Sequence, residues 1–317
     1  MALAAATAFV APRLGLRAGL VTVDHGLQDG SAARAAAVAE WARSAGLSPV
    51  EVATVDVTGL PGGPEAAARS ARYAALSSVA SRLGAAVVLL GHTRDDQAET
   101  VLLALARGAG PRGLAGMPYR RGVFVRPMLD VARGDTRKAC AALGLAAWED
   151  PHNSDPAYAR SRVRAEALPA LIAALGPGVV DNLARTATQV AADNSALDAM
   201  AVDALLAAST ASADPTASAA PTASAPSAAS ASSALSAGSE RLVVARLVDL
   251  APAVRTRVLH RWARDLGAPG GALSHRHVAA LDAFVTDWHG QGPTQLPSDI
   301  SVARRDGVLV RVERSDM

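Results

Sequence analysis

Apolar and polar positions alternate along the first 150 residues in a way that predicts strands separated by helices. Short runs rich in valine and leucine predict buried strands, and longer stretches with an apolar stripe predict amphipathic helices. The predicted strands are Ala18–Val23, Val50–Val55, Ala85–Leu90 and Phe124–Leu129, and the predicted helices are Leu3–Val10 (facing the core), Ser31–Ser44, Pro64–Arg82, Arg94–Ala106 and Asp135–Leu143. This order predicts an α/β domain over residues 1–150, in which a parallel sheet carries helices on both faces.

The same patterns divide the rest of the chain into three segments. Helical periodicity over Arg160–Ala208 predicts a helical extension at residues 151–206. Residues 207–239 are mostly alanine, serine, threonine and proline, which predicts a disordered insert because such a segment buries little apolar surface. Residues 240–317 predict a small α+β domain, with a short strand or turn over Leu242–Leu250, helices over Pro252–Leu266 and Ser274–Trp288, and a hairpin over Ile300–Val312 that turns at Asp306-Gly307.

Composition narrows the classes of protein and site. Apolar residues make up 50% of the chain and charged residues 19%, and the net charge of +2 permits a nucleic-acid partner without requiring one. The single cysteine, Cys140, excludes an intrachain disulfide, a CxxC redox site, a cysteine-ligated zinc and a four-cysteine iron–sulfur cluster. No apolar run reaches the ~18 residues of a membrane span. The apolar start also lacks the basic region of a signal peptide, so we expect a cytoplasmic protein with no membrane partner.

The segment Gly91–Thr100 carries the strongest chemical signal. It follows a predicted parallel strand, and open α/β sheets place ligand sites at the carboxyl ends of their strands. On the following helix, Asp95 and Glu99 are four residues apart and Asp96 and Glu99 three apart, so a carboxylate pair shares one face. Such a pair can hold magnesium against substrate phosphates. Two alternatives remain: the carboxylates are helix caps and dipole partners, or His92, Asp95 and Asp96 form the site of a metal-dependent hydrolase.

Three other segments contain candidate site residues. Asp24 and His25 follow the first predicted strand, where a turn and a ligand site are both possible. Residues 107–117 predict either a plain helix end and loop or a mobile active-site loop carrying Arg107 and Arg112. The stretch WEDPHNSD is followed by Arg160, Arg162 and Arg164, which form either a solvated basic face or a set of phosphate contacts.

Together these segments resemble one family. In chain order they read VDHGLQ, GHTRDDQAETVLLALARGAGPRGLAGM, RPMLD, WEDPHNSD and RSRVRAEALPAL. This series resembles the bacterial tRNA(Ile)-lysidine synthases, N-type ATP pyrophosphatases with a PP-loop domain. The tail from Pro252 through LPSDISVARRDGVLV resembles the family's small substrate-binding domain. The chain departs from the family pattern at Ser161, where asparagine is more common, and at Thr22 and Gln28.

One departure concerns the phosphate loop. The family signature SGGxDS, which follows the first strand, does not occur in this sequence. Met1–Ala4 resembles the helix that comes directly after that loop. The expectation is therefore an adenine nucleotide alpha hydrolase-like domain that is incomplete at its N-terminus, through a start codon assigned too late or a shortened chain.

The resemblance implies a ligase that uses ATP and magnesium. In this family the C2 carbonyl oxygen of the wobble cytidine, in the CAU anticodon of isoleucine tRNA, attacks the α-phosphate of ATP. Free lysine then displaces AMP to give lysidine. No obligatory protein partner is implied.

The resemblance also implies roles for the residues named above. Asp95, Asp96 and Glu99 would bind magnesium or position lysine, with Asp96 and Glu99 as the metal pair. The adenosine pocket would involve Asp24, His25, Gly91 and His92. The reacting groups would be surrounded by His92, Arg107 and Arg112. The tRNA would contact Arg160, Arg162, Arg164, Trp148 and Tyr158.

Three other functions remain open at this point. A degenerate tRNA-binding protein without activity would be consistent with the absent phosphate loop. The metal-dependent hydrolase would turn over without nucleotide. A tRNA-thiolating enzyme with the same ATP fold needs several cysteines, so the single cysteine argues against it.

Overall fold

The structure is a computed structural model that describes residues 1–26, 28–56, 64–146, 148, 155–210 and 240–312. It divides into two compact units, Met1–Ala191 and Ala192–Met317. Most of the predicted insert, from residue 211 on, and residues 149–154 of the WEDPHNSD stretch lie outside the described residues.

The first unit alternates helices with short strands. Its helices are α1 (Ala2–Arg13), α2 (Ser31–Ser44), α3 (Pro64–Arg82), α4 (Arg94–Ala106), α5 (Pro111–Leu114), α6 (Arg133–Ala142), α7 (Ala159–Arg162), a π-helical turn at Val163–Ala167, α8 (Leu168–Leu175) and the start of α9 (Val179–Thr210). Its strands are β1 (Leu20–Asp24), β2 (Val50–Thr54), β3 (Val88–Leu89), β4 (Arg120–Arg121) and β5 (Phe124–Val125). The bounds of α2, α3 and α4 are those that the sequence predicts.

The strands of the first unit pair as two sheets among the described residues. β1 and β2 are parallel, with Leu20 opposite Val50, and β3 is parallel to β5, which also pairs with the antiparallel β4. The parallel α/β class is thus confirmed. The single continuous sheet is not seen, and the predicted strands Ala85–Leu90 and Phe124–Leu129 shorten to two residues each.

Helix α1 differs from its prediction as a helix that faces the core. Within α1 only Ala11 is buried, whereas Phe9 is 60% exposed. Leu14 and Leu16, just beyond the helix, are also exposed. The apolar residues of α1 are therefore not arranged around one buried stripe. Apolarity alone could not predict which side of this helix would face its neighbours.

The second unit is a small α+β domain, as predicted. It contains the end of α9, β6 (Arg241–Val243), a 3₁₀ turn at Val244–Arg246, α10 (Pro252–Asp265), α11 (His275–Thr286), β7 (Thr294–Leu296), β8 (Ile300–Arg305) and β9 (Val308–Val312). The strands form an antiparallel sheet in the order β6-β9-β8-β7. The hairpin turns at Asp306-Gly307 as predicted, with φ of 49° and 74°, the conformation that an Asp-Gly turn favours. The sequence pattern missed β7.

The predicted boundaries at residues 150 and 206 differ from those observed. The units divide inside α9, after Ala191. The residues of α7 stay with the first unit because Arg160 is bonded to α4. The end of α9 belongs to the second unit because Leu205 and Ala208 lie in its core, so residues 207–210, which the prediction placed in the insert, belong to the helix.

Among the described residues, no single helix has the length and apolarity needed to cross a membrane. One pair, Ala159–Leu175 with Val179–Ser209, passes the same test by length and composition only, and it is bent by 100°.

We expect the second unit to depend on Trp262, which is 1% exposed in its core. Trp262→Ala should lower the free energy of unfolding by about 3–5 kcal/mol because it removes apolar contact and leaves a cavity. Trp288, which is 39% exposed and packs edge-on to Phe284, is the matched control. Trp288→Ala should cost no more than about 1.5 kcal/mol. Urea unfolding followed by far-UV circular dichroism measures both, and equal losses would contradict this assignment of the core.

Candidate active site at the start of helix α4

The site is built around the first turn of α4, just after β3. Thr93 is the N-cap of the helix, and both its backbone N–H and its hydroxyl donate to Asp96 Oδ2 at 2.8 Å. Burial opposes ionisation of Asp96, but the Thr93 N–H, Arg133 and Arg164 outweigh it, so the pKa of Asp96 is lowered. Asp96 is therefore a carboxylate at neutral pH.

Glu99 lies one turn further along α4 and is fully buried. Arg133 donates to its Oε1 at 2.7 Å, and Arg164 donates to Oε1 at 2.8 Å and to Oε2 at 3.0 Å. A third arginine, Arg160, places its Nε 3.4 Å from Oε2. A buried carboxylate is tolerated only when it is paired in this way.

The same arginines also engage the neighbouring carboxylates. Arg133 donates to Asp96 Oδ1 at 2.9 Å and Arg164 approaches that oxygen at 3.3 Å. The backbone N–H of Arg133 donates to Asp95 Oδ2 at 2.7 Å. We call Asp95, Asp96, Glu99 and the three arginines at positions 133, 160 and 164 the carboxylate–arginine cluster.

This arrangement does not fit the magnesium site predicted at Asp96 and Glu99. Three of their four carboxylate oxygens accept two hydrogen bonds each, and Glu99 Oε2 accepts one from Arg164 and lies 3.4 Å from Arg160 Nε, which leaves no free pair of oxygens for a cation. No group of three or more metal-binding side chains occurs among the described residues either. The arrangement therefore lends no support to the metal-dependent hydrolase that would use His92, Asp95 and Asp96.

Asp95 is different from its two neighbours. Its Oδ2 accepts one hydrogen bond, from Arg133, while its Oδ1 has no hydrogen-bond partner among the described residues. The side chain is half-buried. Asp95 is thus the carboxylate of the cluster with an oxygen that a ligand can use.

The three arginines predicted to contact tRNA separate in the structure. Arg160 and Arg164 lie in the carboxylate–arginine cluster, and Arg160 also donates to Thr100 Oγ1 at 2.7 Å. Arg162 points elsewhere: it is exposed, and it donates to the backbone carbonyls of Pro156 and Ala157. Arg160 and Arg162, two residues apart on α7, therefore have different surroundings.

Arg107, expected near the reacting groups, lies at the opposite end of α4. Arg107 follows Glu99 by eight residues, a rise of about 12 Å along the helix axis. With Arg162 and Glu166 it lines a surface groove of about 570 Å³ with an apolar floor that includes Leu103 and Val163. The second predicted loop arginine, Arg112, is exposed on α5.

Gln97 fixes the end of the loop that carries these arginines. Its side chain donates to Met117 O at 3.0 Å and accepts from the Met117 N–H at 2.8 Å. The contact depends on Gly116, whose φ is +64° and where a Cβ would lie 2.7 Å from Gln97 Oε1. A side chain at position 116 would therefore both strain the backbone and break this contact.

His92 lies in a positively charged environment. Burial lowers the pKa of His92 to about 4; Asp96 opposes the shift, while Arg126, Arg72 and Arg69 add to it. The imidazole is therefore neutral at physiological pH, and its Nδ1 is buried without a hydrogen-bond partner among the described residues.

Sequence reasoning missed four of the arginines around this site. Arg133 could have been suspected because it begins α6, where the helix dipole disfavours a cation unless carboxylates lie nearby. Arg126 is buried and donates to Pro118 O at 2.8 Å and to the Tyr73 hydroxyl at 3.2 Å. Nothing in the local pattern of α3 distinguishes Arg69 and Arg72 from a solvated basic face.

The remaining predicted residues lie around the edge of this region or apart from it. Asp24 is buried at the end of β1, and hydrogen bonds from the Gly26 N–H and the Ser31 side chain lower the pKa of its carboxyl. His25 directly follows it, and Gly91 is exposed between β3 and His92. Tyr158 caps α7. Trp148 is 53% exposed and stacks on Arg34 of α2, 4.3 Å from guanidinium carbon to ring centroid.

We expect Gly116→Ala to release the loop after α4. Because the new methyl would collide with Gln97, activity should fall at least tenfold while the core stays folded. Gly110→Ala, in the same loop but with open space around its Cα, is the control and should be neutral. Turnover assays measure the activity of both variants, and circular dichroism measures their folding. Unchanged activity in Gly116→Ala would show that the contact between Gln97 and Met117 is dispensable.

Comparison with known proteins agrees with the geometry of both units. A model described as the PP-loop domain matches residues 1–171, and a model described as the TilS substrate binding domain matches residues 242–310. Among solved structures, the U34-tRNA thiolase NcsA from Methanococcus maripaludis matches 54% of this chain and 61% of its own, with 17% identity and a TM-score of 0.43. The family is identified from the curated relatives that follow.

Three curated relatives are similar over nearly the whole chain. The tRNA(Ile)-lysidine synthase of Salinispora tropica is 62% identical over 99% of this chain and 87% of its own length. Those of Thermobifida fusca and Mycobacterium tuberculosis are 53% and 43% identical, over 98% and 95% of this chain and 87% and 85% of their own lengths. The chain belongs to the tRNA(Ile)-lysidine synthase family, with a PP-loop domain followed by a TilS substrate binding domain.

Proposed function

We propose that this enzyme joins lysine to C2 of the wobble cytidine in the CAU anticodon of isoleucine tRNA. The cytidine O2 forms a bond to the α-phosphorus of ATP while the bond to the β-phosphate oxygen breaks, releasing pyrophosphate. The ε-ammonium of lysine then loses one proton and its nitrogen bonds to C2. The C2–O bond breaks, AMP leaves with that oxygen, and a second proton is released while the third stays on the nitrogen. The substrate implies a cytoplasmic enzyme.

The observation that supports ATP binding most directly is the excess of positive charge beside His92. The three carboxylates of the cluster are matched by its three arginines. Arg69 and Arg72 have no ion-pair partner among the described residues. Their charges, together with that of Arg126, lower the pKa of His92. Burial, Arg69 and Arg160 lower the pKa of Arg72, although a guanidinium stays charged at any physiological pH. A polyphosphate is the ligand that would relieve this repulsion.

Arg72 is therefore our proposed partner for the ATP phosphates. Its guanidinium can donate two parallel hydrogen bonds to phosphate oxygens, and it is partly withdrawn from water, where such bonds are stronger. Arg69 adds charge from the exposed side of α3. The adenylation step needs this charge because negative charge moves onto the departing pyrophosphate.

Asp95 and His92 supply the polar groups nearest to that charge. The free oxygen of Asp95 suits the ε-ammonium of lysine, which must be held close to C2 before it loses a proton. His92, being neutral, can hydrogen-bond to a base or ribose without adding to the positive charge. Its low pKa makes it a weak base near pH 7, so we assign it positioning rather than proton transfer.

No step of the proposed reaction passes through a metal ion held by Asp96 and Glu99. In the proposed mechanism these two residues fix the arginines, and the arginines neutralise phosphate charge. For the tRNA, the exposed Arg107 and Arg162 are available to the phosphate backbone, and Trp148 is available for base stacking.

We expect Arg72→Gln to raise the KM for ATP by about tenfold to a hundredfold, which corresponds to the ~1.5–3 kcal/mol of a hydrogen bond to a charged group. The fold should be unaffected because Arg72 has no ion-pair partner among the described residues. Arg185→Gln, which removes an exposed arginine bonded to Asn182, is the control and should leave the KM unchanged. AMP release with tRNA and lysine, and lysidine detection by mass spectrometry, are the measurements.

Two outcomes would contradict the proposal at different levels. A wild-type KM for ATP in Arg72→Gln would remove Arg72 from the phosphate site. Failure of the unsubstituted enzyme to convert the cytidine of isoleucine tRNA to lysidine would overturn the proposed function itself.

A further inference from the structure

Helix α10 of the second unit carries a row of arginines on the side away from its core. Its apolar face buries Val258, Leu259 and Trp262. Arg257, Arg261 and Arg264 follow one another at helical spacing on the other side. Their surroundings differ, and that difference locates a candidate site.

The first arginine of the row is neutralised within the protein. Arg257 Nε lies 3.0 Å from Asp198 Oδ1, and its NH2 group donates to Asn194 Oδ1 at 2.6 Å. Arg257 therefore holds α10 against the end of α9, and its donors that face α9 are already hydrogen-bonded.

Arg261, one turn later, has no such partner among the described residues. Its Nε is buried and makes no hydrogen bond there. An unsatisfied N–H of a cation, removed from water, is unfavourable unless a ligand accepts its hydrogen bond. This buried donor therefore indicates an acceptor that the protein itself does not supply.

Arg261 opens onto a cavity with a second arginine. The cavity measures about 370 Å³ and is lined by Arg261, Arg264, Asp265, Ala268, Pro269 and Gly270. Arg264 lies against the backbone at Gly270, where a Cβ would come within 3.2 Å of its Nε. The absence of a side chain at position 270 thus lets this guanidinium rest at the wall of the cavity.

The charges of the cavity select an anion. Two guanidinium groups outnumber the single carboxylate of Asp265, and two arginines present fork-shaped donors that match phosphate oxygens. The surrounding unit is also basic: residues 240–312 contain ten arginines and seven carboxylates. The whole cavity lies within the part of the chain that matches the TilS substrate binding domain.

We infer that the cavity at Arg261 and Arg264 binds a backbone phosphate of the tRNA substrate. The inference rests on the proposed function, since it takes tRNA as the ligand. Inorganic pyrophosphate shares the chemistry of a phosphodiester, and the experiment separates the two sources.

The test compares the tRNA affinity of four proteins across a range of KCl concentrations. Arg261→Gln combined with Arg264→Gln should weaken binding about tenfold at moderate salt. Each lost phosphate contact should also reduce the slope of log affinity against log salt by about 0.7–0.9, depending on whether the contacted RNA is single- or double-stranded. Asp265→Asn, which removes the only carboxylate lining the cavity, should instead strengthen binding a few-fold. Arg246→Gln with Arg276→Gln removes the same charge from exposed positions of the unit and should change the slope less.

The outcomes are distinguishable from one another. An unchanged salt slope in the Arg261/Arg264 variant would overturn the inference while leaving the proposed function intact. Lack of tRNA binding by the unsubstituted enzyme would overturn both. If the Arg261/Arg264 variant kept the wild-type salt slope for tRNA but lost binding of inorganic pyrophosphate, free pyrophosphate and not the RNA backbone would be the ligand. Should the double variant fail to fold, unchanged affinity in Asp265→Asn would count against the inference.

Discussion

The fully buried carboxylate of Glu99 is the constraint around which the active-site region is organised. A charge in that position is strongly unfavourable unless it is paired, and three arginines from two distant segments supply the pairing. Arg133 brings the start of α6 to α4, and Arg160 and Arg164 bring α7 and the π-helical turn. The positions of these segments therefore depend on one side chain of α4.

This pairing determines which groups remain for chemistry. Because the oxygens of Asp96 and Glu99 are occupied, the proposed reaction leaves Asp95, with one free oxygen, the neutral His92 and the arginines of α3 to meet the small substrates. Their distribution gives the site a cationic side suited to polyphosphate and a single carboxylate suited to an ammonium group. That pairing of features matches the two small substrates of the proposed reaction, ATP and lysine.

Much of the fold could be predicted from the sequence because local rules govern it. The bounds of α2, α3 and α4 follow from local periodicity and from proline and glycine near the helix ends, and the Asp306-Gly307 turn follows from backbone conformation. The short β4 and β7 and the exposed face of α1 could not be predicted, since they depend on which segments meet in three dimensions.

The candidate site was predictable only in part. The spacing of Asp95, Asp96 and Glu99 correctly indicated that these carboxylates lie together, but it could not show that arginines more than thirty residues away would occupy them. The same limit applies to Arg107, which is near Glu99 in sequence and about 12 Å from it along the helix. Long-range partners decide whether a carboxylate binds a ligand or holds the protein together.

A double-mutant cycle between Glu99 and Arg164 tests this account most directly. Glu99→Gln, Arg164→Gln and the double variant would be compared by hydrogen exchange of the α4 amides, which reports the stability of this region. Each single substitution should destabilise α4, and the double variant should lose about 1–3 kcal/mol less stability than the sum of the two single losses. Additive losses would show that Glu99 does not hold Arg164, and the proposed organisation of the site would then be wrong.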